Sequence, residues 1–536
     1  MTDLDRILPL CPDGPVPRTV LLFSRIDFAW LNPILMAGMR ERWGTRFIVM
    51  APGESWRAFY QPHLRDGDQL HVSADLVREA EEASLGDEAA VFARARAIEQ
   101  RFGIALLRDV LQQARNLACF WLTFAPNSAF AYRTAPPYVE TIKQACVFLE
   151  YFEALIAREG VDLVVERPGD LLSTCCLMAA EAAQVPTTFW LPARNGSFVM
   201  FADGPYLGHR LIRAAYDRLP DPEPMPLEAL APPDDSRRNF GRAKELRSLR
   251  HLGLGLWRTT RDHAIWKVQR VLKGRRHRGL GYRAMVRQQV SVWRLHNALA
   301  RRIESDMGRL CAQPFVLFLL QFEPEYTTLS LARQFNDTRA VVQQCALALP
   351  AGFRLVVKEN VNSIGNRALS FYDDMLKLPN VILADHSIRG LDLMPHAAAV
   401  ATISSTGALE ANLFGRRSLI FAPQVEFSFL PDVQSVTSFH DLPAVMRHAV
   451  AEIGEDERRA IRVRATRYRQ ALEAVSFQAP GTRPFRGTGT TLPDGEAERA
   501  VDRLLDCFRL QKAGQQAIPD ATAAGPRRVL VETGGG

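Results

Sequence analysis

The segments 314-PFVLFLLQ-321, 354-RLVVKEN-360, 381-VILADH-386, 398-AAVATIS-404 and 417-RSLIFA-422 decide the fold of this chain. Each is a short apolar run, as expected for a strand that is buried on both faces. Stretches with helical periodicity separate them, among them 337-DTRAVVQQCALALP-350. Strands that alternate with helices are typical of a parallel sheet covered by helices, so this half of the chain is predicted to be a doubly wound Rossmann-like domain.

The same alternation occurs nearer the amino terminus. Strand-like runs stand at 19-TVLLFSR-25, 46-RFIVMAP-52, 161-VDLVVER-167 and 187-TTFWLPA-193, with helical segments at 141–160 and 171–184. The predicted fold class is therefore α/β, with two Rossmann-like domains facing a central cleft. The predicted divisions are an amino-terminal acceptor domain at 1–235, a basic helical connector or insertion at 236–310, a carboxy-terminal nucleotide-sugar-binding domain at 311–475, a loop and helix at 476–512, and a disordered tail at 513–536.

Composition excludes several classes of protein. The chain has 536 residues, of which 47% are hydrophobic and 23% charged, which argues against wholesale disorder and against a small disulfide scaffold. Its 8 cysteines form no C-x-x-C pair, so we expect free thiols in a reducing compartment. We expect a cytoplasmic location, because the amino terminus lacks a signal-peptide pattern and no apolar run approaches the roughly 18–20 residues of a membrane-spanning helix.

Positive charge is concentrated in one stretch. Residues 231–310 hold 20 Lys/Arg and 6 Asp/Glu, a net charge of +14, whereas the whole chain carries +7. Apolar residues recur there at roughly helical spacing. Three interpretations remain open: a solvated helical hairpin packed on a domain, a patch for an anionic membrane surface, and a surface that binds a polyanion. No nucleic-acid-binding motif accompanies the charge, so we expect no nucleic-acid partner.

The segment 403-ISSTGALEANLFG-415 is the strongest local pattern for ligand binding. A strand is followed by hydroxyl side chains and then by a helix, whose first N–H groups favour an anion such as phosphate. We expect Ser404, Ser405 and Thr406 to donate to phosphate oxygens, Gly407 to permit close approach, and Glu410 to accept from a sugar hydroxyl. The alternative is an ordinary helix cap in which Glu410 acts as the capping partner.

Two further polar clusters follow predicted strands of the same domain. In 356-VVKEN-360, Lys358 suits a phosphate and Glu359 suits hydroxyl groups, although a solvated Lys-Glu pair is the alternative interpretation. In 321-QFEPEYTT-328, we expect Gln321 to contact the donor and Glu325 to be an acid or base candidate. The three clusters are predicted to converge, because the carboxyl ends of parallel strands meet at one edge of the sheet.

These residues also resemble a known family. The segments 350-PAGFRLVVKEN-360 and 396-HAAAVATISSTGALEANLFGRRSLIFA-422 are similar to the carboxy-terminal half of the capsule polysaccharide biosynthesis protein family, over about residues 314–425. The resemblance implies a GT-B-type glycosyltransferase, and the family includes retaining Kdo transferases that use a CMP-linked donor. The family continues the strand-end Lys-Glu with His-Pro, where this chain has Asn360-Val361. The resemblance therefore implies that the protein is a nucleotide-sugar transferase, but it does not imply which nucleotide sugar is the donor.

Transfer of a sugar requires an acid or base near the anomeric carbon and stabilisation of the departing phosphate. In the first domain, Glu166 is the leading catalytic candidate and Asp27 a second, each at a predicted strand end. Arg167 and Arg194 are expected to hold an anionic acceptor or a donor carboxylate. For each of these, an exposed loop charge is the alternative. No D-x-D-like motif stands at a strand end, so we expect neither a metal nor another cofactor.

The sequence thus predicts a glycosyltransferase of surface or capsular polysaccharide biosynthesis. Its partners would be a nucleotide sugar and a glycan or glycolipid acceptor, with an anionic inner-membrane surface as a further candidate. Two alternatives stay open: a non-catalytic glycan-binding or capsule assembly and export protein that retains the fold, and a nucleotide-sugar epimerase or polyol-phosphate transferase.

Overall fold

The structure is a computed structural model of the full chain. It describes residues 10, 13–24, 29–115, 117, 137–193, 198–204, 206, 208, 210–230, 247–273, 282–323, 325–360, 363–364, 367–479 and 492–516. Of the predicted site residues, Asp27 and Arg194 lie outside the described residues, as does most of the predicted tail.

Strands of the described residues form two separate sheets. In chain order they are β1 (Thr19–Phe23), β2 (Arg46–Ala51), β3 (Gln69–Val72), β4 (Leu163–Val165), β5 (Thr187–Pro192), β6 (Phe198–Ala202), β7 (Phe315–Leu319), β8 (Arg354–Lys358), β9 (Val381–Ala384), β10 (Ala399–Thr402), β11 (Arg417–Ile420), β12 (Val433–Ser435) and β13 (Ser476–Gln478). The first sheet has the order β13-β6-β5-β4-β1-β2-β3, and the second has the order β12-β11-β10-β7-β8-β9.

Helices cover both sheets. They are α1 (Leu31–Trp43), α2 (Arg57–Tyr60), α3 (Ser73–Glu82), α4 (Glu88–Phe102), α5 (Tyr138–Glu159), α6 (Leu171–Ala182), α7 (Arg210–Arg218), α8 (Leu249–Lys273), α9 (Tyr282–Leu299), α10 (Met307–Leu310), α11 (Thr338–Ala348), α12 (Leu369–Leu376), α13 (Gly390–Leu393), α14 (Gly407–Leu413), α15 (Leu442–Ala449), α16 (Glu455–Ala474) and α17 (Glu496–Gln516).

Both sheets confirm the predicted fold class. All strand pairs of the second sheet are parallel. Counted within this domain, its order is 3-2-1-4-5-6, which is the Rossmann arrangement. Strands β1 to β6 of the first sheet repeat that order, except that β6 pairs antiparallel with β5. The interiors of strands such as β1 and β7 are buried, because helices cover both faces of each sheet. This is why their side chains are apolar on both faces.

The sequence did not reveal β3, β6, β12 and β13. Three of these, β3, β12 and β13, are edge strands of three or four residues, and each contains a polar side chain. The side chains of a short edge strand are less completely buried than those of a central strand. Such a strand therefore does not require the continuous apolar run by which buried strands are recognised. The second sheet accordingly has six strands where five were predicted from the sequence.

The carboxy-terminal segment returns to the first domain. After α16 the chain forms β13, which pairs antiparallel with β6, and α17 packs against α1, β5 and β6. Gln511 of α17 exchanges hydrogen bonds with the backbone of Thr187 at 2.9 and 3.1 Å. Strand β13 and α17 therefore complete the first domain, although they follow the second in sequence.

The loop that follows β7 contacts the first domain. The Tyr326 and Phe189 rings pack edge to face with centroids 5.9 Å apart. Arg333 forms an ion pair with Asp109 at 2.5 Å, and its carbonyl accepts from Gln112 Nε2 at 2.7 Å. This loop extends from the carboxyl edge of the second sheet, so the contacts bring that edge towards the first domain.

Candidate functional site

A hydrogen-bonded pair lies where the strand order of the second sheet reverses. Gln321 follows β7 and Ser404 follows β10, and these two strands are neighbours although they are not consecutive. Gln321 Nε2 donates to Ser404 Oγ at 2.8 Å, and Gln321 Oε1 accepts from the Ser404 backbone N–H at 3.0 Å. In doubly wound sheets, ligands bind outside the carboxyl ends of the strands at this reversal. Both predicted residues thus line the position at which the fold class predicts a ligand.

Lys358 ends β8 beside this pair. Its carbonyl accepts from the Leu320 backbone N–H at 2.9 Å, which joins the ends of β7 and β8. Its side chain is 4% exposed, and Nζ donates to the Glu359 carbonyl at 2.6 Å. Burial lowers the pKa of Lys358 to about 8, in spite of the opposing effect of the Glu359 and Asp385 carboxylates. The ammonium therefore still carries its charge at neutral pH in a buried position, where charge interactions are strong.

Arg367 organises the loops around these strand ends, and sequence reasoning missed it. Its buried guanidinium forms ion pairs with Glu359 at 2.7 Å and with Glu323 at 2.8 Å. It also donates to the Gln321 carbonyl at 2.8 Å. Burial opposes the charge of Arg367, but the two carboxylates outweigh it and raise the pKa of the guanidinium. No sequence pattern pointed to this residue, because its partners are 8 and 44 positions away in the chain.

The Glu359 carboxylate is engaged by the protein itself. Besides Arg367, it accepts from Tyr372 Oη at 2.7 Å and from the Asn360 backbone N–H at 2.7 Å. Burial first, and then the nearby Glu359 carboxylate, raise the pKa of Tyr372 well above its usual range. We therefore propose that Glu359 positions the loop and that donor contacts come from its neighbours.

The residues after Ser404 form a tight helix start. Ser405 Oγ accepts from the Gly407 backbone N–H at 3.2 Å, and Thr406 Oγ1 donates to Glu410 Oε1 at 3.4 Å. The side chains of Ser405, Thr406 and Glu410 are half-buried, and this helix start directly follows Ser404. A Cβ atom on Gly407 would come within 2.3 Å of Leu319 Cδ1, so the close packing of α14 on β7 requires glycine.

A cluster of nitrogen-bearing side chains lies beyond β9. Arg247 Nη2 is 3.2 Å from His386 Nε2 and 3.7 Å from Asp385. The His386 and His296 rings lie edge to face with centroids 6.1 Å apart. Burial, with a smaller contribution from neighbouring positive charge, lowers the pKa of His296 to about 3, and burial lowers that of His386 to about 4. Both imidazoles are therefore neutral at physiological pH.

The first domain has its own strand-order reversal, between β1 and β4. Glu166 follows β4 directly and is buried, with its backbone N–H donating to the Thr188 carbonyl at 2.9 Å. Half-buried Arg167 follows it. Glu166 and the Gln321–Ser404 pair therefore occupy equivalent positions in their two sheets.

Two more acidic residues differ in their surroundings. Glu325 is half-buried on the loop that contacts the first domain, and its carbonyl accepts from Thr328 Oγ1 at 2.9 Å. Asp203 follows β6, where its carboxylate accepts from the Leu211 backbone N–H at 3.1 Å. Burial raises the pKa of Asp203 to about 6, although Arg210 lies 3.7 Å away.

A groove on the first domain lies elsewhere. Its volume is about 680 Å³, and its lining includes Arg40, Arg46 and Asp68. Arg46 begins β2 and Asp68 precedes β3, so the groove opens at the amino ends of these strands. Ligands of doubly wound folds bind at the opposite edge, so we do not assign the groove to the reaction.

Three further observations concern metal binding, membrane-spanning helices and the state of the cysteines. Among the residues that the structure describes, no three His, Cys, Asp or Glu side chains are grouped so that they could hold a metal ion. Independence from metals remains a prediction. None of the described helices is both long enough and apolar enough to cross a bilayer. The six cysteines within the described ranges are free thiols.

Comparison with known proteins gives fold-level likeness. No protein-family model matches the chain, and no curated protein matches it. Among solved structures, KpsC of Thermosulfurimonas dismutans, a beta Kdo 2,4 transferase, is 14% identical, with 56% of this chain and 79% of that chain covered and a TM-score of 0.27. Anabaena Alr3699/HepE in complex with UDP is 11% identical over 93% and 99%, also with a TM-score of 0.27.

A third similar structure comes from Listeria monocytogenes, and its assignment as a UDP-N-acetylglucosamine 2-epimerase is provisional. It is 10% identical and covers 84% of this chain and 91% of its own, with a TM-score of 0.23. At these identities the likeness concerns the fold alone, and TM-scores this low add nothing to an argument about function. The function proposed next therefore rests on the residues of this chain.

Proposed function

We propose that this protein is a glycosyltransferase that transfers a sugar from a nucleotide-sugar donor to a glycan or glycolipid acceptor. One observation carries the proposal. The hydrogen-bonded pair of Gln321 and Ser404 lies at the strand-order reversal of the second sheet, with the buried ammonium of Lys358 ending the adjacent strand. A polar pair beside a buried ammonium at this position suits a phosphate ester.

Each group has a part in the proposed reaction. The donor phosphate would lie near Lys358, whose charge stabilises the negative charge that develops as the bond to the sugar breaks. Ser405 and Thr406 supply hydroxyl groups to phosphate oxygens, and Glu410 accepts from a hydroxyl of the sugar or ribose. Ser404 and Gln321 hold the two strand ends in register. Lys358 acts as a fixed charge here, because its surroundings are already organised before the ligand arrives.

The acceptor is assigned to the first domain. Glu166 stands at the strand-order reversal of that sheet, the position at which doubly wound folds bind ligands. We propose Glu166 as the base that removes the acceptor proton, with Glu325 and Asp27 as the remaining acidic candidates. Arg167 and Arg194 are proposed to bind an acidic acceptor or a donor carboxylate.

The resemblance to the capsule polysaccharide family supports a finer version of this proposal. In it, the product is a surface polysaccharide and no metal takes part. The acceptor oxygen attacks the face from which the phosphate departs, so the anomeric configuration is retained. The free thiols support a cytoplasmic location, because thiols persist in a reducing compartment.

A thermal-shift screen with CMP-, UDP-, GDP- and CDP-linked ligands tests the binding step. A ligand that binds only the folded state raises the melting temperature. We expect one nucleotide class to produce a shift, and Lys358→Met to weaken its binding by roughly 10–100-fold, as for loss of a hydrogen bond to a charged group. Lys377→Met is the matched control, because Lys377 lies in the same domain with its side chain 75% exposed.

Turnover distinguishes a transferase from a binding protein. With the nucleotide sugar found in the screen and a mixture of glycan acceptors, we expect nucleotide release that depends on the acceptor and is lost in Glu166→Gln. A chain that binds glycan, ignores all four nucleotide classes and is indifferent to Lys358→Met would contradict the proposal and identify a non-catalytic glycan-binding module.

A further inference from the structure

Helices α8 and α9 form a helical hairpin whose inner faces pack on one another. Thr260 Oγ1 and Tyr282 Oη are 2.9 Å apart, and the His263 and Tyr282 rings have centroids 5.1 Å apart. Gly255 lies against Gln289, where a Cβ atom would come within 3.0 Å of the amide oxygen. These contacts define which side of α8 faces α9 and leave its other side outward.

The outward side of α8 carries large apolar residues in contact with water. On a helix of 3.6 residues per turn, Leu254, Trp257, Ile265 and Val268 fall within an arc of about 80°. Their exposed fractions are 46%, 59%, 49% and 57%. Single exposed apolar residues are normal on a protein surface, but a row of four along one helix marks an interaction surface.

Basic side chains share this face. Arg261 lies within the same arc and stacks over the Trp257 ring at 5.1 Å, and exposed Arg258 lies beside it. Together, α8 and α9 contain nine Lys/Arg and a single acidic residue, Asp262. Of these, Arg250, Arg258 and Arg261 lie on or next to the outer face, and Arg261 also pairs with Asp262 at 2.8 Å. The outer face of α8 thus combines an apolar row with arginine side chains beside it.

The hairpin is held firmly at its base by the second domain. Trp293 Nε1 donates to the Arg247 carbonyl at 2.9 Å, and Arg247 lies 3.7 Å from Asp385. Beyond α9, Glu304 bonds to the edge of β9, with its backbone N–H donating to the Leu383 carbonyl at 2.8 Å. Because Asp385 directly follows β9, the base of the hairpin stands at the carboxyl edge of the sheet, beside the candidate donor site.

We propose that the outer face of α8 docks on the surface of an anionic lipid bilayer. Trp257 and the aliphatic residues enter the headgroup region while the neighbouring arginine side chains meet lipid phosphates. A dissolved polyanion would use the charge but leave the apolar row in water. A second copy of this chain would bring two positive faces together. The inference does not depend on the transferase proposal, because it concerns only this surface.

Vesicle flotation of the full chain tests the inference. The probes are vesicles of phosphatidylcholine alone and of phosphatidylcholine mixed with phosphatidylglycerol. We expect flotation with the anionic vesicles alone, weakened by salt because exposed charges are screened. Arg258→Glu/Arg261→Glu should weaken binding at least about tenfold, and Leu254→Ala/Trp257→Ala should weaken it at low salt as well.

Matched controls lie on other exposed surfaces. Arg96→Glu on α4 makes the same kind of charge reversal at one exposed site, and Leu347→Ala, at a residue that is 63% exposed, removes one exposed leucine side chain. Both should float like the wild type, with unchanged melting temperatures in all variants. Equal flotation on neutral vesicles would overturn the inference, as would absence of vesicle binding, binding to a soluble acidic polysaccharide alone, or a dimer in sedimentation that dissociates in the Trp257 variant.

Discussion

A single guanidinium nitrogen of Arg367, Nη1, donates to both carboxylate oxygens of Glu359, at 2.7 Å each. Its Nη2 donates to Glu323 and to the Gln321 carbonyl at 2.8 Å. One buried cation thereby fixes the loops after β7 and β8 relative to each other. The loops at the strand ends are consequently held in place by a buried residue, which has this role without touching a ligand.

Replacing Arg367 with Met should destabilise the protein by about 3–5 kcal/mol, because two buried carboxylates lose their counter-charge. Urea denaturation followed by circular dichroism measures the change. Arg339→Met is the control: Arg339 is 47% exposed and pairs with Asp374 at 3.2 Å, so its loss should cost about 0–1 kcal/mol. Equal effects of the two changes would show that the buried ion pairs do not stabilise these loops.

Nucleotide binding should weaken as the pH rises through about 8, where the Lys358 ammonium loses its proton. The affinity falls by at most about tenfold per pH unit, because a single proton is involved. Lys358→Arg keeps its charge throughout this range and should give a flat profile between about pH 7 and 10. Calorimetric titration across that range measures both. A wild-type profile that stays flat would place the phosphate away from Lys358.

The same pKa makes a prediction about stability. The folded state holds Lys358 with a pKa of about 8, against an ordinary value of 10.5, so the unfolded state binds more protons between these values. The contribution of Lys358 therefore favours the folded state increasingly as the pH rises from 8 to 10.5. Lys358→Met should lack this contribution. Melting temperatures of both proteins across the range would reveal a difference in slope, and parallel curves would argue against a buried ammonium.

Acid should loosen the base of the helical hairpin. His296 and His386 have lowered pKa values of about 3 and about 4, so the unfolded state binds more protons below the ordinary value of 6.5. Stability is therefore lost as the pH falls below 6.5, by about 2 kcal/mol for His296 at pH 5. The charge of Arg247 opposes protonation of both rings, His251 opposes that of His296, and Lys358 opposes that of His386. The Asp385 carboxylate favours protonation of His386.

His296→Phe should reduce this acid sensitivity, because it keeps an aromatic ring against His386 and removes one titrating group. Thermal denaturation between pH 7 and 4.5 measures the effect. Exposed His440→Gln should retain the wild-type dependence. If the His296→Phe protein loses stability in acid as steeply as the wild type, protonation of His296 does not cause the acid sensitivity.

Gly407→Ala should destabilise the second domain by about 1–3 kcal/mol, because the new methyl group would overlap Leu319 in a packed interior. Gly253→Ala is a control with the opposite sign. Gly253 lies within α8. Apart from the backbone of its own helix and its chain neighbours, no described atom lies within 4 Å of the place that a methyl group would occupy, so alanine there should stabilise the helix by about 0.5–1 kcal/mol. Denaturant unfolding measures both. A neutral Gly407→Ala would mean that α14 can move away from β7.

The sequence alone predicted the strands that are buried on both faces. Strands such as β7 and β10 are recognisable in the sequence as short, largely apolar runs. The polar residues after them, including Gln321 and Ser404, could be named because parallel strands must end at a common edge. The two-domain α/β fold follows from the same alternation, since it depends on local periodicity that every segment carries in its own residues.

Only the tertiary structure decided how those residues are used. Arg367 reaches Glu323 across 44 positions, and Gln321 reaches Ser404 across 83, distances over which no local pattern extends. The edge strand β13 and helix α17 likewise join the first domain through contacts that are distant in sequence. Strand β13 pairs with β6, and α17 bonds to β5. Chain neighbours determine secondary structure, whereas buried charges are satisfied by whichever partner the fold brings within hydrogen-bond distance.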